Sequence, residues 1–194
     1  MATKNKLSIL IPTVEGREEL FDSLMNNLLS QIGSLPVQIL SIKDKKEISI
    51  GAKRQKLIEM SDGEYVVFID DDDAVAPYYV VEILKNLGRD AVGFLIECSF
   101  DGQNKCVAKA SSKYKDWGDN KDGFRYVRST YHKTPVRREI AIKHGFKDMR
   151  FGEDYDYSMR IINDIKSESF IDKVMYYYRY TSQEPHNSKY GITR

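Results

Sequence analysis

Apolar residues fall in short blocks with two kinds of spacing. Leu7-Ser8-Ile9-Leu10-Ile11 is nearly continuous and is closed by Pro12, the pattern of a strand buried in a parallel sheet. Glu18 to Gln31 sets Leu20, Phe21, Leu24, Leu28 and Leu29 at helical spacing and ends at Gly33. Val37 to Ile42 predicts a second strand, and Ile50 to Met60 a second helix closed by the turn Ser61-Asp62-Gly63. Tyr65 to Ile69 is a third buried strand, running without a spacer into Asp70-Asp71-Asp72-Asp73. Pro77 opens a helix to about Leu87. Ala91 to Phe100 is a strand, Asp101-Gly102 a hairpin turn, and Lys105 to Ala110 the return strand.

The first half thus reads β-α-β-α-β-α-β. That order predicts a three-layer α/β sandwich with a mostly parallel, Rossmann-like central sheet and helices on both faces. Ligands of such sheets bind beyond the carboxyl ends of the strands. Here those ends are Pro12-Thr13, Lys43-Asp44 and the four aspartates. The second half is less regular. Residues 111–130 read as loop or short strands, Val136 to Lys143 and Glu153 to Ile165 as helices, and Phe170 to Tyr180 as a late strand. Thr181 to Arg194 is a polar tail.

Composition narrows the class. With 41% hydrophobic and 30% charged residues, a folded globular chain is expected rather than a disordered one. A length of 194 residues suits a single domain, 1–194, with halves at about 1–100 and 101–180. No apolar run is long enough for a transmembrane helix, and the segment before Pro12 does not resemble a signal peptide, so a cytoplasmic protein is expected. Cys98 and Cys106 read as reduced thiols, with a disulfide across the hairpin as the alternative. Residues 51–100 hold 5 Lys/Arg against 10 Asp/Glu, and residues 101–150 hold 13 against 6. This asymmetry suits either a mixed solvated surface or a cation or donor site beside a region that meets an anion.

Four adjacent carboxylates fused to a buried strand repel one another and call for a compensating cation. Mg²⁺ and Mn²⁺ bind one or two carboxylates together with substrate phosphates. Phe68-Ile69-Asp70-Asp71-Asp72-Asp73 resembles the Asp-x-Asp segment of GT-A fold glycosyltransferases, particularly family 2. Further segments are similar in the same order: Leu7 to Thr13 to the first strand, Asp44 to the base-binding acid, and Gly51-Ala52-Lys53-Arg54-Gln55 to a Gly-x-x-Arg-Asn helix start. The stretch from Pro135 to Gly145, followed by Phe151-Gly152-Glu153-Asp154, resembles the acceptor-side helix and Glu-Asp motif.

The resemblance implies an inverting, metal-dependent transferase using a nucleotide-diphosphate sugar, a UDP-sugar above all. Pro12, Thr13, Glu15, Asp44 and Gly51 would line the nucleotide-sugar pocket with Asp70 and Asp71, while Arg54 would hold the uridine or diphosphate. Asp72 would bind Mn²⁺ or Mg²⁺, with His186 as a further ligand or else an exposed tail histidine. Asp154 would be the general base, supported by Glu153. The acceptor would be a glycan or other hydroxyl-bearing molecule; the basic second half admits an anionic one, modified DNA included. Trp117 and Tyr176 to Tyr178 are candidates to stack on a sugar or base, or else core residues. A nucleotidyltransferase and a non-catalytic nucleotide-sugar or partner-binding protein are the alternatives.

Overall fold

A computed structural model describes residues 5–182. The first half comprises strand β1 (Leu7–Val14), helix α1 (Glu18–Ile32), β2 (Val37–Asp44), α2 (Ile50–Met60), β3 (Tyr65–Phe68), β4 (Ala74–Val75), α3 (Tyr79–Asn86) and β5 (Ala91–Phe100). There follow β6 (Gln103–Ala110), β7 (Gly118–Lys121), β8 (Phe124–Arg128), β9 (Val136–Arg137), α4 (Arg138–His144), α5 (Glu153–Ile161) and β10 (Glu168–Tyr180).

β1 lies between β2 and β3 in parallel register, Leu7 standing opposite both Val37 and Tyr65. The short antiparallel β9 joins β3 to β5, and β10 runs parallel to β5. The sheet order is β2-β1-β3-β9-β5-β6-β8-β7, with β10 pairing β5 and β4. β6 to β8 extend the sheet through the hairpin at Asp101-Gly102, β6 antiparallel to β5 and parallel to β8. Both turn residues have positive φ, 51° and 72°, as a two-residue turn of that hand requires.

β3 is apolar at every position, and β1 at all but Ser8 and Thr13, because each face has its own core. Leu7, Ile9, Ile11, Tyr65, Val67 and Ile69 join Leu24, Leu28, Val80 and Ile83 of α1 and α3. Leu10, Val66 and Phe68 face the other way, against Leu57, Ile58, Ile140, Tyr157 and Ile161 of α2, α4 and α5. The period-two alternation of a strand splits one apolar run between two helical layers.

The structure refines several expectations. β1 continues past Pro12 to Val14, because the pairing of β3 stops at Leu10–Phe68 and leaves no partner for a missing N–H. Leu20 and Leu29 are exposed, so the buried stripe of α1 is narrower than its apolar spacing. α5 ends at Ile161, although Ile165 still packs in the core. Cys98 and Cys106 face each other across β5 and β6 as free thiols. Among the described residues, no helix is long and apolar enough to cross a membrane.

Candidate functional site

The aspartate run turns sharply beyond β3, the Asp73 N–H bonding to the Asp70 carbonyl at 3.1 Å. Its four carboxylates diverge, and each meets a different set of protein groups. Asp71 is buried, accepting from the Thr13 hydroxyl at 2.7 Å and pairing with Arg17 at 2.7 Å. Asp72 pairs with the same guanidinium at 3.0 Å, and its side chain is 32% exposed. Asp73 is held by Lys133, by the Tyr176 hydroxyl at 2.7 Å and by the Arg179 N–H at 2.8 Å. Asp70 lies 2.7 Å from the Lys133 ammonium and 2.8 Å from Arg54 Nη2. Burial alone would raise Asp70, but Lys133 and Arg54 hold it well below the usual carboxylate range.

Arg54 ties this run to the second acidic pair. It is buried on α2 against the rings of Phe68 and Phe146, and its Nε lies 3.3 Å from Glu153 Oε1. Its Nη1 is buried without a hydrogen-bond partner. Glu153 and Asp154 open α5 directly after Gly152, whose left-handed φ of 72° turns the chain into the helix. Burial raises Glu153 despite Arg54, and Asp154 beside it adds to the rise. His132, also buried, has Nε2 3.5 Å from Asp70 Oδ2, beyond ordinary hydrogen-bond length. Burial and the neighbouring Arg54 push it down to about 4.

The nucleotide-side residues gather at the ends of β1 and β2. Asp44 accepts from the Ile48 N–H at 3.0 Å and pairs with buried Lys53, which also donates to the Thr13 carbonyl at 2.7 Å. Pro12 is buried in β1, whereas Glu15 is exposed, 3.8 Å from Lys45. Gly51 meets neighbouring backbone: its N–H bonds to the Met149 carbonyl at 3.0 Å, and a Cβ there would lie 2.0 Å from the Lys147 carbonyl oxygen. Gln55 accepts from the Phe146 N–H at 2.8 Å, clamping α2 to the same segment. His186 lies outside the described residues.

Asp70, Arg54, Glu153 and Asp154 therefore converge although the acids stand far apart in sequence. Arg17, His132, Lys133 and Tyr176 complete the cluster. The sequence signalled Lys133 only as one of many basic residues in the second half, and those residues do not form one patch. Lys133 is buried on the aspartates, while Arg137 and Arg138 sit by Gly88 and Glu64 at the opposite end of β3.

A divalent cation fits this donor set. Arg17, Arg54 and Lys133 stand against Asp70 to Asp73 and Glu153, so negative charge is in surplus. It is felt at Asp72, which burial, Asp73 and Asp70 raise to about 7. Among the described residues no three acids, histidines or cysteines cluster as a closed metal cage. Asp72 is the most exposed carboxylate of the run, and so the one that could share Mg²⁺ or Mn²⁺ with substrate phosphates.

The family profile described as glycosyl transferase family 2 matches residues 39–145, more than half of the chain. No curated protein matches. Among solved structures, S. aureus TarS 1-349 in complex with UDP-GlcNAc aligns with a TM-score of 0.66 at 16% identity, over 97% of this chain and 62% of that one. The mannosyltransferase PcManGT from Pyrobaculum calidifontis, in complex with GDP-Man and Mn2+, aligns with a TM-score of 0.59 at 12% identity, over 97% of this chain and 60% of that one. At these identities the likeness shows the fold, which is GT-A. The chain spans about 60% of the length of these proteins.

Proposed function

The chain belongs to glycosyl transferase family 2, and from that premise we propose that it moves a sugar from a nucleotide-diphosphate sugar, a UDP-sugar by preference, to an acceptor hydroxyl. The observation that carries this reading is the Arg54 bridge, 2.8 Å from Asp70 and 3.3 Å from Glu153. It fixes a donor-side acid and an acceptor-side acid on one buried cation, holding two binding regions in a single geometry.

In this reading the acceptor oxygen attacks the anomeric carbon while the bond from that carbon to the diphosphate oxygen breaks. The electron pair leaves with the nucleotide, and the acceptor proton passes to Asp154. One displacement inverts the anomeric centre. Glu153, pinned by Arg54, holds the start of α5 and so aims Asp154. Thr13 and Asp44, locked to each other through Lys53, shape the nucleotide end. Mn²⁺ or Mg²⁺ bound at Asp72 would neutralise the charge developing on the leaving diphosphate. The GDP-Man and UDP-GlcNAc complexes of PcManGT and TarS support a donor of this class.

The test is release of nucleoside diphosphate from UDP- and GDP-sugars with Mn²⁺, for wild type and Asp154→Asn. A lost general base lowers turnover by about 10²-fold or more while donor affinity is kept. Undiminished turnover in Asp154→Asn would remove Asp154 from the chemistry.

A further inference from the structure

α5 carries a second feature beside Asp154. Asp154 and Tyr155 each stand one turn before Ser158, so the two flank it on the helix. Trp117, from the loop entering β7, closes on Ser158 and Tyr155: its Nε1 donates to Ser158 Oγ at 3.2 Å, and its ring stands edge-on to Tyr155, centroids 5.4 Å apart at 82°. Trp117 is itself fixed, edge-on to Tyr131 at 5.6 Å and under the Arg128 guanidinium at 4.8 Å. The Tyr155 hydroxyl donates to Asp116 Oδ1 at 3.1 Å. Tyr155 is therefore held against the Trp117 ring and at its hydroxyl, yet it remains 43% exposed. A large ring fixed in this way, one residue from the proposed base, presents binding area at little cost in side-chain entropy.

We propose that Tyr155, backed by Trp117 and flanked by Asp116, is the acceptor platform, and that the acceptor is an uncharged saccharide. This rests on the reading of Asp154 as the base. A pyranose offers an apolar C–H face to lie on the tyrosine ring and a hydroxyl edge for carboxylates to accept from. Asp116 Oδ1 already takes the Trp117 N–H and the Tyr155 hydroxyl, which leaves Oδ2 to accept a sugar hydroxyl.

The surrounding charge disfavours a polyanion. Arg128 lies on Trp117 and 3.5 Å from Asp119, Lys113 pairs with Asp122, and Lys147 pairs with Asp156. Just before Trp117 in the chain, Lys115 and Asp116 are both exposed and opposite in charge. Nucleic acid binding instead needs several cations facing outward together.

The experiment places wild type, Tyr155→Ala and Tyr155→Phe, each with UDP and Mn²⁺, on an array of neutral oligosaccharides, acidic oligosaccharides and duplex DNA. Trp117 is the chain's one tryptophan, so its emission reports platform occupancy in solution for whichever saccharide is captured. The expected result is capture of a neutral saccharide with a change in Trp117 emission, weakened at least tenfold in Tyr155→Ala and little changed in Tyr155→Phe. The thermal shift given by UDP and Mn²⁺ should be equal in all three proteins. Capture of acidic glycans or DNA alone, capture of nothing, or full binding by Tyr155→Ala overturns the platform. Loss of the UDP shift from wild type would instead overturn the transferase reading beneath it.

Discussion

His132 and Lys133 are neighbours in the chain, buried to the same depth, yet they enter the site in opposite charge states. Burial would strip a proton from either, but Asp70 and Asp73 bracket the Lys133 ammonium and hold its pKa well above the usual range. His132 faces Arg54 and Lys133 as well as Asp70, and burial leaves it neutral. Its folded-state pKa of about 4 lies below the ordinary value of 6.5, so protons bind the unfolded chain first. Stability from His132 is complete above pH 6.5 and is lost as pH falls toward 4, by on the order of 3 kcal/mol. Urea titrations at pH 7.5 and 4.5 should show His132→Gln losing less stability over that interval than wild type. Removing the buried cation is costlier, because Lys133→Met strands two carboxylates and should destabilise by about 3–5 kcal/mol. Lys133→Met combined with Asp73→Asn should recover part of that loss in the same titration.

Among the elements, α2 is the hub, and its fit depends on the absence of a side chain. Gly51 lets the backbone of residues 147–149 lie against the start of the helix, which brings α5 and Glu153 within reach of Arg54. Gly51→Ala drives a Cβ onto the Lys147 carbonyl and should cost about 1–3 kcal/mol, read by urea denaturation. It should also lower donor turnover by displacing Asp154. The elements themselves were legible in sequence, since period-two runs and helical spacing each report a local geometry. The acidic residues of the site were legible too, because they stand at strand and helix ends. The ion pairs that hold them were not: Arg54, expected on the donor, instead reaches Glu153 across 99 positions, Lys133 reaches Asp73 across 60, and no local pattern encodes such pairs. The sequence argument for a metal rested on four uncompensated carboxylates. Arg17, Arg54 and Lys133 supply much of that compensation, and Asp72, which shares Arg17 with Asp71, is left as the most exposed carboxylate of the run.

At the scale of the molecule, a parallel sheet collects the ends of β1, β2 and β3, and α5 closes over them from the second half. The GT-A fold thereby brings residues between 12 and 154 together at one candidate site. The central claim is that this site binds a nucleotide-diphosphate sugar through Asp72 and a divalent cation. The most direct measurement is a thermal-shift panel of UDP, GDP and their sugars, with and without Mn²⁺, on wild type and Asp72→Asn. A ligand that binds the folded chain alone raises its melting point by mass action. The account predicts that a UDP compound stabilises wild type only when Mn²⁺ is present, and that Asp72→Asn loses this shift while remaining folded. A panel that leaves wild type unmoved, or an Asp72→Asn protein that keeps the full Mn²⁺-dependent shift, would contradict it.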